Sequence, residues 1–329
     1  MVNTIPMADL SGLDGASQEI VRHLEAHPFL DPLNMTPVQM RRAFDDYYAS
    51  IDMDRAPVKT QDKDISGPGG KLSVRIYHPE VVRSSKLPVT VFCRGGGLVM
   101  GSLQSYDAIC RRICQASEAI VVAVDYRQPP EHKHPAALDD CLAAVRWVRD
   151  NATSFGGDPN RVAIAGDSGG GMLAAATTQA MRDSGEAALD FQFLVYPAVG
   201  SLDPTKGSMV EFAFGYVFTP DQLDWLYMQY LEGPELRESP EVSPNLAKNL
   251  SGLPPALIVT AHYDIFCDEG EDYGRRLQSA GVPTQIRRFG EVIHGFLNMG
   301  GRVPAAAEAC DMGGKALAKA FRKAGTSAS

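Results

Sequence analysis

The chain lacks the features that mark membrane, nucleic-acid and metal proteins. No window approaches the roughly 18 uncharged apolar residues of a membrane span. The opening stretch MVNTIPMADLSG has neither a basic start nor an apolar core, so no secretory leader is expected. Positive charge is short: 31 Lys and Arg stand against 40 Asp and Glu, for a formal charge of −9. That disfavours nucleic acid and anionic membrane surfaces as partners. The six cysteines (Cys93, Cys110, Cys114, Cys141, Cys267, Cys310) form no C-x-x-C pair and no zinc spacing. Several lie in apolar runs, where a small buried thiol is the simplest reading, and a reducing cytoplasm fits best. There is no internal repeat, and the one small-residue tract is the tail AGTSAS, read as mobile.

What is present is an ordinary globular composition of 44% hydrophobic and 22% charged residues over 329 positions. That is enough chain to bury a sizeable core without staples. From Lys71 onward, short apolar runs alternate with longer amphipathic ones. KLSVRIYHP, PVTVFC, AIVVAVDY, RVAIAG, FQFLVYP, PALIVTA and TQIRRF read as strands. YDAICRRICQAS, LDDCLAAVRWVRDNA, GGMLAAATTQAMRDSG and DEGEDYGRRLQSAG read as helices, the last opening on Asp268 as N-cap with Glu271 as its capping-box partner and closing at Gly281. Continuous apolar strands alternating with helices predict an α/β fold with a mostly parallel central sheet flanked by helices. Residues 1–50 read as helical outside this alternation. The aromatic stretch from about 200 to 233 reads as a cover over the C-terminal edge of the sheet, where open α/β sheets bind ligands.

The strongest motif is Gly166-Asp167-Ser168-Gly169-Gly170, a G-x-S-x-G between a strand and a small-residue helix. That context presents a serine hydroxyl at the sheet edge as a nucleophile, whereas the bland alternative is a glycine turn with a capping serine. A phosphate-cradling loop is disfavoured, because neither Gly-Lys-Ser/Thr nor G-x-G-x-x-G occurs there. A serine nucleophile needs a base and an orienting acid, which in this architecture follow it in the order acid, then histidine. Only His262 and His294 come after Ser168. His294, in the glycine-flanked FGEVIHGF, is preferred over His262, which would have to share one short loop with the acid. Asp264, just beyond a strand, is preferred as acid over Asp268, Glu269 and Glu291. The oxyanion of acyl transfer needs backbone N–H donors. Gly169 would supply one; Gly96 and Gly97 of CRGGGLVMG would supply others, with Gly95 shaping the turn, although a glycine triplet alone is equally a plain turn.

These residues resemble the hormone-sensitive-lipase-like branch of the α/β-hydrolases, which includes many bacterial carboxylesterases. The resemblance rests on the triplet loop with its trailing GSLQSYD, then DYRQPPEHKHPAALDD, GDSGGG, YDIFCDEG and HGF, in that order over nearly the whole chain. It implies an α/β-hydrolase fold with a helical cap: residues 1–55 and 200–233 as cap, 56–199 and 234–329 as the two parts of the hydrolase core. It implies a Ser168–Asp264–His294 triad with Gly96, Gly97 and Gly169 as oxyanion hole, no cofactor and no metal. It also implies hydrolysis of short- to medium-chain acyl esters by a chain that is commonly a homodimer. Glu131, His132 and His134 then belong to a scaffold loop. Phe212, Phe214, Tyr216, Phe218 and Trp225 are candidates for an apolar pocket or for cap core. An amidase or deacetylase using the same triad, and a non-enzymatic receptor on the same fold, are the rival readings. One departure stands out: the family usually has histidine before the triplet, and this chain has Arg94. A guanidinium only donates hydrogen bonds and is always charged, so either Arg94 finds a carboxylate and braces the loop differently, the preferred reading, or the hole is displaced and activity is low; a substrate carboxylate meeting Arg94 is a third option.

Overall fold

The computed structural model describes residues 8–80, 86–200 and 205–327. Residues 1–7 of the expected cap, 201–204 of the aromatic stretch and 328–329 of the tail lie outside them. Two helices, α1 (Gly15–Ala26) and α2 (Pro37–Ser50), precede a hairpin of β1 (Val58–Gly67) and β2 (Gly70–Pro79). Then come β3 (Leu87–Cys93), α3 (Asp107–Ser117), β4 (Ile120–Asp125), α4 (Ala136–Asn151), β5 (Gly157–Asp167), α5 (Gly169–Asp183) and β6 (Gln192–Val195). After α6 (Gly207–Glu211) and α7 (Pro220–Tyr230), the chain closes with β7 (Ala256–Tyr263), α8 (Cys267–Ser279), β8 (Thr284–Ile293) and α9 (Pro304–Ser327).

The eight strands of the described residues form one sheet in the order β1-β2-β4-β3-β5-β6-β7-β8. β1 and β2 pair antiparallel, as do β2 and β4, while all pairings from β4 to β8 are parallel. β3 is buried at every position, as a strand covered on both faces must be. One face packs against α3 and α9 and carries α1 and α2 onto the same cluster; the other packs against α4, α5 and α8.

Four local expectations are corrected. β1 was not anticipated, because VKTQDKDISG is an edge strand that buries only Val58 and Ile65; cross-strand ion pairs Asp62–Arg75 and Asp64–Lys71 tie it to β2. Asp268 is not an N-cap: α8 starts at Cys267 without a side-chain cap. The Asp268 carboxylate instead accepts the N–H of Ser208 at 2.9 Å, and Glu271 pairs with Arg288 at 2.7 Å. β8 runs on through Gly290 to Ile293, past the end of TQIRRF. The tail, read as mobile, is helical as far as it is described, since α9 continues to Ser327.

Candidate active site

β5 ends at Asp167 and α5 begins at Gly169, leaving Ser168 alone at the bend with φ 54° and ψ −125°. This region is costly for a residue with a side chain and persists only where the surroundings enforce it. Here the Ser168 N–H is held by the carbonyl of Val195 at 2.9 Å. The bend also needs bare neighbours: a Cβ on Gly170 would run into the carbonyl oxygens of Cys93 and Arg94.

Two adjacent parallel strands deliver the partners. β7 ends one residue before Asp264 and β8 one residue before His294. His294 Nε2 lies 2.9 Å from Ser168 Oγ, and Nδ1 lies 2.7 Å from Asp264 Oδ2. The other carboxylate oxygen of Asp264 accepts the N–H of Phe266 at 2.9 Å, which fixes the carboxylate plane. Phe218 and Phe266 each approach the imidazole with ring centroids 5.1 Å away, and Tyr196 at 4.7 Å. Ser168, His294 and Asp264 are all buried, so these hydrogen bonds form in a water-poor setting. A base bonded to a hydroxyl and oriented by a carboxylate can generate a serine nucleophile. The alternatives stand apart. His262 packs between Phe212 and Tyr263 near Arg288. Glu269 accepts the N–H of Gly200 at 3.1 Å, and the Glu291 side chain is exposed.

The glycine triplet lies beside Ser168. Gly96 and Gly97 have φ of 91° and 60°, which L side chains rarely adopt. Among the described residues no hydrogen bond occupies the N–H groups of Gly96, Gly97 or Gly169, and all three glycines line space that also meets Ser168. The loop is anchored from below: the Gly95 N–H donates to Asp167 Oδ1 at 2.8 Å and the Tyr106 hydroxyl to Oδ2 at 3.2 Å. Burial pushes the Asp167 carboxyl up to about 7, against the pull of the Gly95 N–H. Asp167 and Tyr106 were not singled out in the sequence; the middle letter of G-x-S-x-G carries no chemical requirement, so only the fold exposes this tie.

Arg94 points away from Ser168. Its guanidinium stacks 4.2 Å from the centre of the Tyr126 ring, donates to the Met100 carbonyl at 3.1 Å, and reaches Asp125 Oδ1 at 3.3 Å and the Tyr126 carbonyl at 3.4 Å. Tyr126 in turn donates its hydroxyl to the Arg94 carbonyl at 2.9 Å. The loop is thus clasped between a cation and a phenol. In the neighbouring YRQPPEHKHPAA, Glu131 takes a two-pronged bond from Arg41 of α2, His134 meets the Tyr230 hydroxyl, and the His132 N–H caps a turn at Gln128.

Two small chambers flank Ser168. One, of about 40 Å³, is apolar and is walled by Gly97, Leu98, Met172, Leu223, Leu226 and Phe266 among others. The other, of about 20 Å³, holds His294 and is roofed by Phe29, Phe44 and Tyr48 of the N-terminal segment. Of the five aromatic pocket candidates, Phe218 borders both chambers. Phe214 and Tyr216 line an outer groove. Phe212 packs on Tyr216, His262 and Tyr263, and Trp225 packs against the core. From α7 the apolar chamber is also walled by Leu223, Leu226, Tyr227 and Tyr230, all within LDWLYMQY; their helical spacing marks a buried face without saying what it faces.

Comparison with known proteins agrees with this geometry. A family model described as alpha/beta hydrolase fold matches residues 90–298. Esterase LipI of Mycobacterium tuberculosis is 37% identical over 88% of this chain and 95% of its own length. Carboxylesterase NlhH of the same species is 42% identical over 76% of this chain and 79% of its own. The solved structure of a mutant of LAE6, an α/β hydrolase enzyme from the metagenome of Lake Arreo, superposes with a TM-score of 0.90 at 34% identity, covering 95% of this chain and 99% of that one. With that match across the motif-bearing core, the chain belongs to the α/β-hydrolase family.

Proposed function

We infer that Ser168, His294 and Asp264 form the catalytic triad by which this protein works as a serine carboxylesterase of the hormone-sensitive-lipase-like branch. The observation that carries the reading is the unbroken hydrogen-bond chain Ser168–His294–Asp264 at 2.9 and 2.7 Å. Neutral His294, its Nδ1–H held by Asp264, takes the proton of Ser168 as Oγ attacks the ester carbonyl carbon. The oxygen that gains the charge is received by the N–H groups of Gly96, Gly97 and Gly169, each such donor being worth about 3 kcal/mol. The imidazolium then gives its proton to the departing alkoxide as the C–O bond breaks, leaving an acyl-serine. Water repeats the sequence: His294 takes its proton, the tetrahedral adduct collapses, and the carboxylic acid leaves with Ser168 restored. Each step uses only side chains and backbone of this chain.

The two chambers sort the substrate. The departing oxygen must reach Nε2, so the alcohol half occupies the chamber that contains His294. The acyl half occupies the apolar chamber beneath α7. A volume of about 40 Å³ there suits short acyl groups with medium chains extending past Leu226 and Tyr227. Residues 1–55 and 200–233 act as the cap, since Phe29, Phe44, Tyr48, Phe218, Leu223 and Leu226 close both chambers from above. A cytoplasmic setting agrees with six buried free cysteines, and no described helix is long and apolar enough to cross a membrane.

A fluorophosphonate tests the reading. It is expected to add one adduct, on Ser168, with none on Ser168→Ala, and p-nitrophenyl acetate and butyrate are expected to turn over while the matching anilides are much slower. A folded protein that takes no label and hydrolyses no ester refutes it.

A further inference from the structure

The alcohol-side chamber is not uniformly apolar. Tyr48 is 3% exposed, and its ring is wedged against Phe44 at 4.5 Å and Phe29 at 5.6 Å between centroids. Its hydroxyl lies 3.4 Å from the point that a Cβ on Gly295 would occupy, directly beside His294, and the residue lines the chamber that meets Ser168 and His294. Other polar side chains there are already engaged. Asp167 takes the Gly95 N–H and the Tyr106 hydroxyl, and Asn298 donates to the Ser105 carbonyl at 3.2 Å. No described residue hydrogen-bonds the Tyr48 hydroxyl, and the hydroxyl is open to the chamber rather than sealed in protein. Burial pushes its phenol upward, so it is a donor at every physiological pH.

A bound ligand that covers such a donor without offering it an acceptor leaves it unpaired, a cost that an oxygen at that position avoids. Sites that hydrogen-bond a substrate oxygen reject the analogue lacking it far more strongly than apolar pockets discriminate a methylene. We propose that the Tyr48 hydroxyl, on the leaving-group side of His294, donates to an ether or hydroxyl oxygen in the alcohol half of the substrate. The enzyme thereby prefers esters of alkoxy- or hydroxy-alcohols over esters of plain alkyl alcohols. The proposal rests on the esterase reading above. It makes Tyr48 of the N-terminal cap a specificity residue, while Ser168, His294 and Asp264 do the chemistry.

The test compares kcat/KM for 2-methoxyethyl butanoate and n-butyl butanoate, whose alcohol halves match in length and differ by one oxygen. Each value is normalised to the alkaline hydrolysis rate of the same ester, which removes leaving-group acidity. The wild type is expected to favour the methoxyethyl ester about five- to tenfold, and Tyr48→Phe to bring the ratio to about one. Product inhibition of the wild type, needing no variant, is expected to be several-fold stronger with 2-methoxyethanol than with 1-butanol. Equal normalised rates in the wild type, or a preference that survives in Tyr48→Phe, overturn the proposal and leave the esterase intact. Failure to hydrolyse either ester, with no fluorophosphonate label on folded protein, overturns both.

Discussion

Replacing Arg94 by histidine tests whether the arginine braces the glycine loop or distorts it. Histidine is too short to reach Asp125, so the variant loses the bonds at 3.1, 3.3 and 3.4 Å and the stacking on Tyr126 at 4.2 Å. Charge-assisted hydrogen bonds contribute about 1.5–3 kcal/mol each, and these sit at the weak end because two are long. A desolvated cation over an aromatic face adds about 2 kcal/mol. Against this stands the desolvation of a guanidinium that is 1% exposed, which a neutral imidazole avoids. Partial compensation also remains, because the Met100 carbonyl keeps the Gln128 amide at 2.9 Å. The net loss is about 3 kcal/mol. With an unfolding entropy of about 2.1 cal/mol/K per residue, roughly 0.7 kcal/mol/K for this chain, that is a fall in Tm of about 4 °C. The Gly95–Asp167 and Tyr126–Arg94 backbone ties survive, so kcat/KM on p-nitrophenyl acetate is expected to fall two- to fivefold. Thermal melts and initial rates decide it. An unchanged Tm, or a tenfold gain in kcat/KM, would refute the bracing argument, the gain by showing that arginine had held the loop out of place.

Further expectations concern the site. Asp264→Asn presents an amide N–H to His294 Nδ1, which favours the tautomer with its proton on Nε2 facing Ser168; kcat for short esters is expected to drop about 10⁴-fold, and a loss under tenfold contradicts the orienting role. Leu226→Trp fills the apolar chamber and is expected to lower kcat/KM for butanoate relative to acetate by about tenfold; an equal loss on both esters would place the acyl group elsewhere. Asp167 has an ordinary carboxyl value of 3.8 and titrates at about 7 when folded. The folded state therefore holds the proton better than the unfolded one, and the resulting stability is complete below pH 4 and lost as pH rises through 7. Asp167→Asn should remove that slope from the Tm–pH curve between pH 5 and 8, and an unaltered slope assigns it to another group. Glu269, pushed well above the usual carboxylate range by burial, makes a contribution of the same sign, so Glu269→Gln should also lessen the loss of stability as pH rises.

Much of the architecture was legible because its signals are local. Seven of eight strands announce themselves as apolar runs, and the eighth does not because an edge strand hydrogen-bonded on one side has little to bury. The reading of α8 failed at its first turn for a related reason. Asp268 carries the chemistry of a cap, but its carboxylate is drawn off by the N–H of Ser208, a partner on the distant α6. Cap propensity is a preference that a better tertiary partner overrides. The five aromatic pocket candidates of the 200–233 stretch show the same limit: they look alike in the chain, and packing sends Phe218 to the chambers, Phe214 and Tyr216 to the outer groove, and Phe212 and Trp225 to the core.

The amino-acid order by itself determined the sheet's parallel character, the bend at Ser168, the few histidines and acids that could follow it, and the glycines that let backbone amides come close. Each depends on steric or periodic demands that operate over a few residues. Only the tertiary structure decided which histidine meets the serine, that Arg94 turns its charge away from the site, and that Tyr48, more than a hundred residues upstream of Ser168, hangs its hydroxyl beside His294. Those outcomes depend on where β7, β8 and the N-terminal helices come to rest, and that is set by burying two whole faces of the sheet at once. No short segment carries that information.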